Sequence, residues 1–536
     1  MFRKLPGLLD IISKNRIAKI IINALFVLSI VCFTLTMSST GNTERMFEVY
    51  TALFVSFAVG LFGTIEYSFP INAIRRTSLL TFLLSTIVTV TVIRYVRAEF
   101  WQRPVTKHLS SIFAFFKEGS FFGQILYIAF GIFVFLVINY AAARIIEFLT
   151  LFFAESSKAE KYIFLIGSAL LAAVISVAYS QTTGFWQSFD KVYSIDSGYN
   201  TSTLFPQLYY ADIRHVGFSV LSFPLYSIAN FFAELFKIDG MRHILLSFFN
   251  AELLLLSALL LRRMTNNNNY MFALYFASAP TWIFTLFFEK YTLSVFCMVL
   301  FTYGVYRKKA ETTLAGNVLG AATISTSAAL IPLAALCEGK TRDALKRIAQ
   351  ASLMLVLFFV VIGRIDFMIH FKELTDTMTY FTDPELTMLN KFYLTIETIA
   401  STIFILPFTV KSNNTFMWYD GLGATMNWVG FAILIISIIG FLSNIKKDQY
   451  KIFIYWVVFL FFLFMVIGFS VYHGPLFALY FSWAFIPLFV SGVEALFRKK
   501  TNYAKYALIG VIAIALILNI YHLGHLMQYM KAAFPV

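Results

Sequence analysis

One long polar stretch interrupts an otherwise apolar chain and gathers acidic and basic side chains. Asp190 and Asp196 stand six residues apart in it, and Asp212, Arg214 and His215 close it. An aspartate beside a membrane-embedded cavity can take a proton from an acceptor hydroxyl, and nearby cations can hold a lipid-linked phosphate. The stretch therefore has two interpretations, a site for group transfer or the solvated charges of an ordinary outer loop.

Charged residues also stand at two turns between apolar spans. Glu289 and Lys290 interrupt an apolar stretch, and His473 stands at the boundary of a later span. The same two interpretations apply to Glu289 and Lys290. A histidine at such a boundary is more often an interface residue than a ligand. Both interpretations stay open for His473.

Other chemistries leave no trace in the chain. The sequence contains no GxGxxG or GxxxxGK[ST] phosphate loop, no HExxH and no GxSxG. Its three cysteines, Cys32, Cys297 and Cys337, lie in apolar segments without CxxC spacing, so they predict neither a disulfide framework nor a metal site. These absences disfavour nucleotide-using and metal-hydrolytic enzymes.

The composition indicates a polytopic α-helical membrane protein. Of 536 residues, 59% are hydrophobic and only 13% are charged, whereas a soluble chain carries about a quarter of its residues as charges. Apolar runs of about 20 residues, enough to cross a bilayer core, recur along the chain. The net charge of +14 comes from short basic clusters between these runs, which is typical of cytoplasmic loops and does not suggest nucleic acid.

The basic clusters give the predicted orientation. Arg3, Lys4 and Lys14 precede the first span, which we interpret as retained, and they place the N-terminus in the cytoplasm. The total is about 13 crossings, near residues 17–37, 48–66, 76–95, 121–143, 161–181, 244–261, 268–288, 291–306, 346–364, 425–443, 452–470, 475–493 and 503–523.

Three further apolar pieces do not fit single crossings. Residues 216–236 are expected to begin and end outside, as an interfacial or re-entrant element that lines a cavity. Residues 314–337 carry a polar run at their centre and are expected to form two half-helices. A third piece, 391–410, lies within an external loop at 365–424, and the other external loop covers 182–215.

The order of these motifs resembles the core of GT-C glycosyltransferases, polytopic enzymes that use polyprenyl-phosphate sugars. The resemblance covers 161–523 and leaves the first 155 residues unmatched. It divides the chain into a four-span extension, 1–155, and a GT-C-like catalytic core, 156–536. It rests on Asp196-Ser197-Gly198-Tyr199, Arg214-His215-Val216-Gly217, Arg262–Arg263, Pro280 through Glu289-Lys290-Tyr291, and His473, Tyr480 and Pro487.

The resemblance implies inverting sugar transfer on the outer face of the membrane. Asp196 would be the general base that deprotonates the acceptor hydroxyl, with Asp190 as the alternative. Ser197 replaces the second acid of the family motif, so Asp190 or Glu289 would supply that carboxylate. The departing polyprenyl phosphate would be held by the donor-phosphate ligands, which are Lys290, Arg214, His215 and His473.

The expected partners follow from this scheme. They are a polyprenyl-phosphate sugar donor, a glycan, lipid or protein acceptor, and the surrounding membrane lipids. No cofactor is required, and metal dependence stays open with Mg²⁺ or Mn²⁺ as candidates. A bacterial plasma membrane is the favoured location. Several aromatic residues are expected either to stack on sugar rings or to anchor the chain at the interface: Trp186, Tyr209, Tyr210, Trp418 and Tyr419.

Two other classes stay open. A polysaccharide polymerase or ligase that uses lipid-diphosphate oligosaccharides would depend on Arg and His in its outer loop, whereas the loop at 365–424 is mostly acidic. A transporter or flippase would show inverted repeats and ionisable residues at mid-membrane. We find no repeat, and the centres of the spans are nearly free of charge.

Overall fold

The computed structural model describes most of the chain as helix. The described residues are 16–37, 72–74, 76–100, 120–187, 215–238, 240–338, 340–362, 382, 386–405, 424–467 and 474–534. Within them lie 19 helical elements, so the predicted all-α class is confirmed. The predicted span at 48–66 lies outside the described residues.

The helices are numbered in chain order. The first nine are α1 Arg16–Met37, α2 Leu79–Phe100, α3 Phe121–Ala154, α4 Lys158–Gln181, α5 Gly184–Gln187, α6 Val216–Phe236, α7 Met241–Met264, α8 Asn269–Ala277 and α9 Ala279–Leu286. Next come α10 Lys290–Tyr306, α11 Ala310–Thr323, a 3-10 helix Ser325–Cys337, α12 Thr341–Val361, α13 Met388–Ile403 and α14 Ala424–Ser443. The last are α15 Asp448–Phe461, which continues as a π-helical turn Phe462–Ile467, α16 Gly474–Leu496 and α17 Thr501–Ala533.

Eight of the described helices are long and apolar enough to cross a membrane. They are Tyr127–Ala154, Lys158–Gln181, Gly217–Phe236, Met241–Met264, Thr341–Val361, Asp448–Val466, Leu476–Leu496 and Thr501–Ala533. The chain is therefore a multi-pass integral membrane protein by helix length and hydropathy. The larger total of about 13 crossings stays a prediction.

The chain divides into two compact units. The first unit begins like the predicted N-terminal extension and adds two later segments, and the second contains most of the predicted core. Unit 1 comprises Met1–Lys161, Phe205–Asp239 and Met354–Phe371, and unit 2 comprises Tyr162–Leu204, Gly240–Leu353 and Lys372–Val536.

Unit 1 contains a polar contact between α3 and the turn before α2. Glu147, near the end of α3, pairs with Arg76 in that turn and, at 3.0 Å, with Arg144. The two arginines therefore lie at the same end of the unit. Close by, the Asn139 side chain donates to the Ala73 carbonyl at 2.7 Å, which joins α3 to the same turn.

The basic turns of unit 2 lie at one end of the unit. Lys308 Nζ lies 2.6 Å from Asp448 Oδ2, which joins the turn after α10 to the start of α15. Asn268 Nδ2 donates to Glu494 Oε1 at 2.6 Å, and Gln449 donates to the Met264 carbonyl at 3.1 Å. The ends of α7, α10 and α16 therefore meet, as the charge pattern predicts.

Two segments of unit 2 are broken helices. The predicted span 268–288 consists of two helices. Helix α8 ends before Ser278, whose backbone is extended, and α9 then begins with Pro280 in its first turn. Proline fits a first turn because it has no N–H to donate. The predicted pair of half-helices at 314–337 is present as α11 and the 3-10 helix, separated by the extended Ile324.

Residues 216–236 differ in form from the prediction. They form one continuous helix, α6, long enough to cross a membrane and with Pro224 inside it. Gly240, which precedes α7, has its Cβ position 3.6 Å from the Trp186 ring in unit 2. The external, re-entrant placement of residues 216–236 stays a prediction.

Helices α14 and α16 cross so closely that only glycine fits at the contact. A Cβ at Gly440 would meet the Leu488 carbonyl oxygen, and one at Gly492 would meet the Ile436 carbonyl oxygen. Small residues at a helix crossing let two backbones approach and gain van der Waals contact, which is a main source of association inside a bilayer.

Gly440→Leu is expected to lower the stability of the protein, because the new side chain has to push the Leu488 backbone away. Overpacking of this kind costs roughly 1–3 kcal/mol. The measurement is the melting temperature in detergent, followed by size-exclusion chromatography of heated samples. Gly524→Leu on α17 is the control, since nothing lies within 4 Å of the Gly524 Cβ position. Equal melting of the two variants would contradict the tight crossing.

Candidate functional site

Glu289 and Lys290 lie inside unit 2. The sequence predicts an external turn for them, but their side chains are only 1% and 2% exposed. Charged side chains are almost never this buried unless protein groups interact with them. The turn from Leu286 to Lys290 is therefore the centre of the candidate site.

Local sequence explains why the chain turns here. Helix α9 ends at Leu286, and the backbone is extended at Phe287 and again at Glu289. Glu289 is the N-cap residue of α10, and its carboxylate accepts a hydrogen bond from the Lys290 amide at 3.2 Å. A negative charge at this position stabilises the start of a helix. The carboxylate is thus fixed by its own helix.

Three polar side chains from α4 and α7 hold the turn in place. The Tyr179 hydroxyl donates to the Leu286 carbonyl at 2.9 Å, and Ser247 Oγ reaches the same oxygen at 3.3 Å. Asn250 Nδ2 donates to the carbonyls of Phe287 at 3.3 Å and of Glu289 at 3.4 Å. These bonds pair one carbonyl at the end of α9 and two carbonyls in the turn that follows it.

A set of buried hydroxyl groups lies near the turn. Tyr480 on α16 lies beside Ser294 and Thr326, and the charge of Glu289 acts on its hydroxyl. The hydroxyls of Thr292, Ser294 and Tyr480 are buried and have no well-aligned partner among the described residues. Buried polar groups normally have a partner, so these are where water or a polar part of a substrate would bind.

Aromatic rings enclose this polar group. The Tyr291 ring packs edge-on against Tyr480 at 5.2 Å and against Phe477 at 5.7 Å. Trp456 is bonded to the same residue, since its indole N–H donates to the Tyr480 carbonyl at 2.8 Å. The structure therefore brings together Glu289-Lys290-Tyr291 and Tyr480, two motifs that are 189 residues apart in the sequence.

The other predicted site residues are not part of the buried turn as described. Asp190, Asp196, Arg214 and His473 lie outside the described residues, so their roles stay predictions. His215 is described and buried, at the position before α6, and it belongs to unit 1.

Among the predicted aromatic residues only Trp186 is described, and it packs within the protein. Its ring stacks on Tyr179 at 4.9 Å and on His243 at 5.6 Å. Arg242 Nη2 lies 3.4 Å from His243 Nε2. Arg242 and His243 were not among the predicted site residues, although two basic residues in the first turn of α7 are a recognisable sequence signal.

The beginning of the predicted external loop is tied to the last helix. Thr182 Oγ1, fully buried, lies 2.9 Å from the Met530 carbonyl and 2.6 Å from the Phe534 carbonyl. The same oxygen accepts a hydrogen bond from the Gly184 amide at 3.0 Å. The first residue of the predicted loop at 182–215 is therefore bonded to the end of α17.

The described residues contain no group of three or more His, Cys, Asp or Glu side chains that could hold a metal ion. Metal dependence stays open. Comparison with protein-family models, with curated proteins and with solved structures finds no match to this chain. What sequence and structure establish is a multi-pass, all-α integral membrane protein with a buried charged turn in its second unit.

Proposed function

We propose that the protein is a GT-C-type glycosyltransferase that moves a sugar from a polyprenyl phosphate to an acceptor on the outer face of the membrane. The observation that carries the proposal is the buried turn at Glu289 and Lys290, with unpartnered hydroxyls close by. Ionisable residues inside a membrane protein usually belong to a functional site.

The chemistry of the turn suits a phosphate leaving group. In the proposed reaction a new bond forms between the acceptor oxygen and the anomeric carbon while the bond from that carbon to the phosphate oxygen breaks. The bonding electrons leave with the phosphate, so negative charge develops there. Lys290 and the hydroxyl donors Ser294 and Tyr480 would stabilise that charge in a site without bulk water.

The acceptor proton needs a separate base. The resemblance assigns this role to Asp196, with Asp190 as the alternative. Glu289 is less suited to it because its carboxylate already caps α10. A role for Glu289 beside Lys290, as the acidic partner that orients the sugar hydroxyls, is consistent with its position.

One observation favours a second candidate class. Glu252 lies at the middle of α7, a candidate membrane span. The span centres are otherwise nearly free of charge, which favours the transferase over a transporter or flippase. A mid-span carboxyl group is a common feature of transporters, so this class stays as the rival.

The test is sugar transfer from radiolabelled polyprenyl-phosphate sugars by membranes that contain the wild-type protein. Transfer to an extractable or precipitable product supports the proposal. Absence of turnover with a panel of hexosyl and pentosyl donors would favour the transporter or a polymerase that uses lipid diphosphates.

Tyr480→Phe is expected to slow transfer two- to tenfold, the equivalent of one hydrogen bond of about 0.5–1.5 kcal/mol. Its melting temperature should stay the same or rise, because the removed hydroxyl has no well-aligned partner among the described residues. Tyr275→Phe on α8 is the matched control, since Tyr275 is also buried with an unpartnered hydroxyl but lies outside the candidate site. Equal loss of activity in both variants would contradict a role for Tyr480.

A further inference from the structure

Glu252 lies at the middle of α7, well away from the buried turn at Glu289. Helix α7 runs from Met241 to Met264, so Glu252 lies roughly 17 Å from either end at a rise of 1.5 Å per residue. Its neighbour Ser168 lies near the middle of α4, another candidate span. If the two helices cross a bilayer, this pair is at mid-depth.

The carboxyl group has one polar contact. Ser168 Oγ donates to Glu252 Oε2 at 3.0 Å. The second oxygen, Oε1, is buried and has no hydrogen-bond partner among the described residues. Next to Ser168, Gly167 allows α7 to come close, with Leu255 3.1 Å from its Cβ position.

The cations on the neighbouring elements stand at helix ends. The elements that pack against α7 are α4, α8, α9 and α10. Their charged and titratable groups, with those of α7 itself, are Lys158, Glu160, Lys161, Tyr162, Tyr179, Arg242, His243, Arg262, Arg263, Tyr270, Tyr275, Lys290, Tyr291, Cys297, Tyr303 and Tyr306. None of the described basic residues forms an ion pair with Glu252.

We infer that Glu252 is a proton-binding site, a carboxylic acid that keeps its proton at neutral pH inside the membrane domain. An ionised carboxylate without a counter-ion is very costly in surroundings of low dielectric constant, whereas the neutral acid is tolerated. With Oε2 accepting from Ser168, the proton is on Oε1. This inference does not depend on the proposed transferase activity.

A hydrophobic carbodiimide tests the inference. Dicyclohexylcarbodiimide takes the proton of a carboxylic acid on its nitrogen, and the carboxylate then adds to its central carbon to give an O-acylisourea, which rearranges to a stable N-acylurea. We expect one such adduct at Glu252 when membranes at neutral pH are treated and the peptides are analysed by mass spectrometry. Glu252→Gln should lose this adduct, and Ser168→Ala should retain it.

Two comparisons make the result decisive. A water-soluble carbodiimide with an added amine should label the exposed Glu494 but not Glu252. The infrared difference between wild type and Glu252→Gln should contain the C=O stretch of a protonated carboxyl group, which supports the inference even if the reagent cannot reach the site. Carboxylate bands in that difference, or labelling of Glu252 from water, would overturn it.

Discussion

Membranes that carry Asp196→Asn are expected to transfer sugar on the order of 10²- to 10⁴-fold more slowly than wild-type membranes, because a general base contributes a factor of that size. Asparagine keeps the shape of the side chain but cannot accept the acceptor proton. Asp196 belongs to the predicted external loop, so its replacement should leave membrane insertion and expression unchanged. The measurement is the rate of transfer per unit of protein with a saturating polyprenyl-phosphate sugar.

Asp190→Asn is the matched control for this prediction. The two aspartates share one loop, so general damage to the loop should affect both variants alike, whereas loss of the base should affect one. Full activity of Asp196→Asn with loss of activity in Asp190→Asn would move the base to Asp190. Full activity of both variants would show that the general base does not lie in this loop.

Lys290→Met is expected to reduce transfer by a factor on the order of 10² to 10³, which is the usual effect of removing one donor that stabilises developing charge. Lys290 is 2% exposed, and methionine is close to it in length, so the packing should survive. The loss should appear in kcat more than in KM, since the phosphate gains charge as it leaves.

A double variant separates chemistry from folding in this experiment. Glu289 and Lys290 are adjacent buried charges, and removal of one can cost up to about 3–5 kcal/mol of stability if the other is left uncompensated. Glu289→Gln/Lys290→Met lacks both charges and should recover the melting temperature but not the activity. Recovery of activity in the double variant would show that Lys290 acts on the fold and not on the substrate.

The positions of many helices could be predicted from the sequence. The predicted spans 161–181, 475–493 and 503–523 correspond to α4, α16 and α17, because a membrane requires an apolar run of a given length. The basic clusters Arg262–Arg263 and Arg307-Lys308-Lys309 are predicted to share one side, and the contacts of Lys308 with Asp448 and of Gln449 with the Met264 carbonyl place both turns at the same end of unit 2.

The break between α8 and α9 was not predictable from hydropathy. Residues 268–288 form one apolar run, so their composition indicates a single span. The break depends on local hydrogen bonds, since Ser278 Oγ and Thr281 Oγ1 both donate to the Tyr275 carbonyl, at 2.6 and 2.7 Å. Hydroxyl groups that compete for a backbone carbonyl can stop a helix, but composition averages hide them.

The candidate site could be predicted only in part. Glu289 and Lys290 were selected because charges are rare in this chain, but hydropathy does not distinguish a turn in water from a turn packed inside the protein. Their burial follows from the contacts of Tyr179, Ser247 and Asn250, which depend on tertiary packing. Glu252 was missed because a single acid in a long apolar run barely changes its average.

The contact between Thr182 and the end of α17 also has a consequence for biosynthesis. Its partners Met530 and Phe534 are 348 and 352 residues further along the chain. At about 5–20 residues per second, a ribosome needs roughly 20 to 70 s to reach them after it has made Thr182. Thr182 therefore gains these partners only after α17 has been translated, so this part of unit 2 reaches its final contacts late in membrane insertion.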